Sequence, residues 1–78
     1  MVVSGIVLVV FPTSEALESV TRSLDEDDRI DVGVPAGFRI PLVLETESDF
    51  EARQTYEALQ QMPGVSSVHL TMASVNRS

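Results

Sequence analysis

Seventy-eight residues are enough for one domain and sit near the lower limit for a self-sufficient core. With 44% hydrophobic residues and few aromatics, that core has to be built from Val, Leu and Ile, which leaves little room for a buried polar catalytic apparatus. The absence of cysteine excludes a disulfide framework, a thiolate metal site and a cysteine nucleophile. A net charge of −7, with arginine as the only strong cation, speaks against nucleic acid as a partner and favours cationic ones.

Residues 2–11 are almost continuously apolar and rich in β-branched side chains, the pattern of a strand buried on both sides. The run falls short of the roughly 20 residues that span a bilayer, and it lacks a basic leader and a small-residue cleavage site. A cytoplasmic protein without membrane insertion is therefore expected. Pro12 closes the strand, and Thr13 and Ser14 suit the N-cap of a helix whose buried stripe is Leu17, Val20 and Leu24. The acidic run at residues 25–28 ends it as a solvated turn. Ile30, Val32 and Val34 alternate with polar or small residues as a half-buried second strand. Pro35, Ala36 and Gly37 then form a turn.

Residues 40–46 make the third strand, with Pro41 placed at its very start because proline cannot donate to a ladder. Ser48 and Glu51 form a capping box for a second helix, with Ala52, Tyr56, Leu59 and Met62 as its apolar stripe and Pro63-Gly64 as its stop. Residues 65–72 alternate as a fourth strand, and residues 73–78 read as a polar, flexible tail. The order β-α-β-β-α-β predicts one domain over residues 1–78. It is a ferredoxin-like α+β fold, a four-stranded antiparallel sheet with both helices on one face.

Two helices cover one side of such a sheet only. Strand parity assigns Ile6, Leu8, Val10, Ile40, Leu42, Leu44, Val68 and Leu70 to the interior. On the opposite side fall Val7, Val9 and Val43, an apolar strip with Asp31 and Glu45 nearer the rim and His69 and Thr71 on the fourth strand. An apolar strip with a polar rim marks a partner surface. Catalysis lacks its parts: His69 is the only histidine, no glycine-rich loop precedes a helix, and the acidic run lacks the glycine and spacing of a calcium loop. No catalytic residue, metal or cofactor is expected, and Met62 and Met72 read as packing residues.

Three segments carry a family resemblance: Ser4-Gly5-Ile6-Val7, Leu42-Val43-Leu44-Glu45, and the stretch from Met62-Pro63-Gly64-Val65 through Val68-His69-Leu70. In these the chain resembles the NapD family, cytoplasmic assembly chaperones of the periplasmic nitrate reductase. The resemblance covers residues 4–73. It implies a protein that binds the twin-arginine signal peptide of the reductase's catalytic subunit and holds back export until the molybdenum cofactor is inserted. The expected peptide contacts are Val7, Val9, Asp31, Val43, Glu45, His69 and Thr71, with peptide arginines against Glu45 or Asp31. The competing expectation is a small regulatory domain that binds a small-molecule ligand as a homodimer. An enzyme is the third, and the missing site makes it the weakest.

Overall fold

The structure, a computed structural model, describes residues 1–75. They form β1 (Val2–Val10), α1 (Ser14–Asp25), β2 (Ile30–Val32), β3 (Arg39–Thr46), α2 (Asp49–Gln60) and β4 (Val65–Val75). The sheet order is β2-β3-β1-β4, with every neighbouring pair antiparallel. This is the ferredoxin-like βαββαβ arrangement that the alternating patterns predict.

Local chemistry sets the element ends. The Thr13 hydroxyl accepts the Ala16 N–H at 3.1 Å and starts α1. The Ser48 hydroxyl accepts the Glu51 N–H at 3.1 Å and starts α2. The reciprocal arm of a capping box is altered here, because the Glu51 carboxylate accepts from the Glu47 N–H, at 3.2 Å, and also reaches Arg29. Between β2 and β3 the chain reverses through Ala36 and Arg39, which exchange backbone bonds of 2.9 and 3.2 Å around Gly37 at φ +64°.

Gly64 ends the turn after α2 at φ +95°, and its carbonyl accepts the Phe11 N–H at 3.0 Å. A Cβ added there would lie 3.0 Å from Val20 Cγ2 on α1. Gly64→Ala is therefore expected to cost about 1–2 kcal/mol, for backbone strain with the crowding in addition. Thermal denaturation reads this as a midpoint lower by roughly 5–15 °C.

The core lies between the sheet and the helices. Its fully enclosed side chains are Ile6, Leu8 and Val10 on β1, Ile40 and Leu44 on β3, and Val20 and Leu24 on α1, joined by Leu42, Leu59, Val65 and Val68. The Tyr56 hydroxyl, at the margin of this core, donates to the Val68 carbonyl at 2.9 Å and ties α2 to β4.

Four expectations are corrected. Pro41 lies two residues inside β3 rather than at its very start. Its missing N–H points toward β2, where the Gly33 N–H donates to the Pro41 carbonyl at 2.8 Å and the return bond cannot form. The β2 ladder ends there, so Val34 lies outside the strand and is 87% exposed. Leu70 sits opposite Ile6 on the helix side, yet it is 53% exposed because β4 is the outermost strand. Residues 73–75 continue β4 instead of fraying; the remainder of the expected tail, residues 76–78, lies outside the described residues.

Candidate functional site

The face of the sheet away from the helices is built row by row from the strand register. Val9 lies between Arg39 on β3 and Ser67 on β4. Val7 lies between Pro41 and His69, and Gly33 follows Pro41 across the β2 boundary. Gly5 lies between Val43 and Met72, and Val43 in turn faces Asp31. Val3 faces Glu45. Residues directly opposite in a ladder share a face, so Val7, Val9, Asp31, Val43, Glu45 and His69 occur together on the open side.

Thr71 joins them by a different route. The β1–β4 register shifts between Gly5 and Ile6, leaving Thr71 as the extra residue of a bulge. Its hydroxyl oxygen lies 3.0 Å from where a Cβ on Gly5 would be, and Met72 Cβ lies 3.4 Å from the same point. The bulge therefore turns Met72 onto the open face at 52% exposure, so Met72 is not the packing residue that parity suggests. Met62 does pack against the core.

Two residues of this face escaped sequence reasoning, Pro41 and Met72. Pro41 extends the apolar strip between Val7 and Gly33, and it lies in a shallow depression of about 230 Å³ with Asp31, Gly33 and Val43. Its parity with Val43 was the available signal. Met72 was hidden by the bulge, for which an isolated glycine within a strand, here Gly5, is the hint. Ser67 Oγ is 2.9 Å from His69 Nε2. That contact supplies a hydroxyl beside an imidazole, but among the described residues no carboxylate bonded to His69 orients the ring.

The strip has a direction. Glu45 and Asp31 flank its Val3–Gly5 end, and Arg39 stands beside Val9 at the other. From Val3 to Val9 is about 20 Å of strand, and the three strands β3, β1 and β4 span about 10 Å. Among the described residues Asp31, Glu45 and Arg39 form no ion pair.

Behind the acidic end, an ion-pair network fixes the corner between α1, β2 and α2. Arg29 bonds Asp27 through Nε at 3.1 Å and Nη2 at 2.8 Å, and its Nη1 reaches Glu51 at 2.7 Å and Thr55 Oγ1 at 3.2 Å. The Arg29 carbonyl accepts the Glu45 N–H at 2.9 Å, so the network holds the backbone of the site. The Arg29 guanidinium bond holds the Asp27 carboxyl below its ordinary value of 3.8. Arg29, helped by the Glu47 N–H, holds Glu51 below 4.5. The Arg29 pKa itself is raised, first by Asp27 and then by Glu51.

Both carboxyls are depressed in the folded state, so their contribution is present above those ordinary values and is lost as pH falls through the folded ones. Arg29→Met is expected to lower the melting midpoint by a few degrees at pH 7, a modest effect because the pairs are partly exposed. The gap should close as pH falls from about 5 to about 2. Melts at stepped pH check this; a gap that widens in acid contradicts it.

Fold and face together define a class: a small ferredoxin-like α+β domain whose sheet carries helices on one side and an apolar, charge-rimmed surface on the other. Among the described residues no helix is long and apolar enough to cross a membrane. No family model, curated protein or solved structure matches this chain.

Proposed function

We propose that the protein is a cytoplasmic chaperone that binds, on its open sheet face, the twin-arginine signal peptide of an exported molybdenum enzyme of the periplasmic nitrate reductase type. Binding withholds the client from export until its cofactor is inserted. The observation that carries this reading is the polarised strip: Val43, Val7, Pro41 and Val9 in line, with the carboxylates Asp31 and Glu45 at one end. A signal peptide has the complementary order, arginines first and then an apolar run. Its arginines pair with Glu45 and Asp31 while the apolar run covers the valines toward Arg39. A strip of about 20 by 10 Å matches a single helix of about 13 residues. The net charge of −7 draws a cationic peptide in, and the resemblance to the NapD family points to the same occupant.

The test is a titration of the full chain with twin-arginine peptides from its own genome, beside the same peptides with both arginines replaced by glutamine. The proposal expects saturable binding that the replacement weakens by about tenfold or more. Failure to bind any such peptide would sink it.

A further inference from the structure

The two edges of the sheet are treated very differently by the sequence. β2, the edge beside β3, is three residues long, carries Asp31 and ends against Pro41. Those are the usual means of keeping an edge from pairing. β4, the opposite edge, runs for 11 residues, Val65–Val75, and contains no Asp, Glu, Lys, Arg or Pro. Among the described residues nothing pairs with its outer side. Its bulges divide it into two stretches in regular register with β1, residues 67–70 and 72–75. Two large apolar side chains stand half-exposed on it, Leu70 on the helix side and Met72 on the open side.

We infer that β4 is a self-association edge, where a second copy of this chain adds antiparallel to give one sheet across both copies. An antiparallel edge is complementary to itself under a two-fold axis, because each N–H and C=O meets its counterpart. Such an axis also sets every charge near its own copy, and β4 carries no carboxylate, lysine or arginine to repel. The groove alongside, between α2 and β4, carries one acid and one base, Asp49 and Arg53, with Tyr56, Leu70 and Ala73. The seam is neutral in sum although the chain as a whole is strongly acidic. Pairing covers Leu70 from one side of the sheet and Met72 from the other. The apolar strip over Val7 and Val43 stays open, so each copy keeps its own binding face.

Sedimentation of the full chain over a range from micromolar to near-millimolar tests this. The expected result is a concentration-dependent rise from the 8.5 kDa chain mass toward twice that value. Leu70→Lys and Met72→Lys, at half-exposed positions that tolerate the change, should each weaken the association by about tenfold or more. Val7→Lys, on the open face, should leave it intact. Amide exchange on the unsubstituted chain gives an independent reading: β4 amides should slow as concentration rises, and β2 amides should not. Chain mass at all concentrations overturns the inference. So does a dimer broken by Val7→Lys and untouched at β4, and so does β4 protection that appears only when a peptide is added.

Discussion

Leu8→Ala is expected to remove about 2–5 kcal/mol of stability and lower the melting midpoint by roughly 10–30 °C. Leu8 has no exposed surface and lies at the centre of the sheet, opposite Ile40 on β3 and Val68 on β4. Truncation leaves a cavity that two flanking strands and the helices cannot close. A domain of this length has a total stability of roughly 4–12 kcal/mol, so a single side chain removes a large share of it. The adjacent Val7 points the other way. Val7→Thr keeps the β-branched shape, and it is expected to cost less than about 1 kcal/mol. Chemical denaturation of the two variants checks the register directly, because a one-residue slip would exchange their effects.

The second large effect concerns the open face. Val43→Lys puts a cation at the acidic end of the apolar strip, beside Gly5 and across from Asp31. Val43 is 37% exposed, so the folded state tolerates the longer side chain with its amine in water. A twin-arginine peptide then meets a like charge where its arginines should pair with Asp31 and Glu45. Its affinity is expected to fall by about ten- to a hundredfold, with a small change in melting midpoint. Phe50→Ser makes the useful comparison. Phe50 is 69% exposed in the first turn of α2, away from the strip, and its loss should leave peptide affinity unchanged. Replacing Asp31 and Glu45 by their amides should weaken binding several-fold, and more so at low salt, since rim charges act over a screened distance. Equal losses from Val43→Lys and Phe50→Ser would place the peptide elsewhere.

Most of the fold was legible because its signals are local. The Ser48 cap, the Pro63-Gly64 stop and the period-two alternation of residues 30–32 and 40–46 each name an element without reference to the rest of the chain. The face was legible for the same reason, since parity along β1 and β3 assigns Val7, Val9, Val43 and Glu45 directly. Errors arose where one strand acts on another. Pro41 shortens β2 through a hydrogen bond that β3 cannot give, and that is a property of the pair rather than of either segment. The Thr71 bulge reverses parity for the end of β4, which put Met72 on the wrong side and hid it from the candidate site. Leu70 has the right parity, but its burial depends on how far α2 reaches across the edge strand. The Arg29 network joins residues 22 positions apart, and no local pattern announces it.

The proposed function requires the open sheet face, and not the helix layer, to receive a twin-arginine peptide. The most direct measurement is the set of backbone amide chemical shifts of the uniformly labelled chain during titration with such a peptide. The largest changes are expected on Val7, Val9, Val43, His69 and Thr71, with Asp31 and Glu45 moving in step with the peptide's arginines, while α1 and α2 hold their positions. Shifts concentrated on α1 and α2, or a spectrum that does not change at saturating peptide, would contradict it.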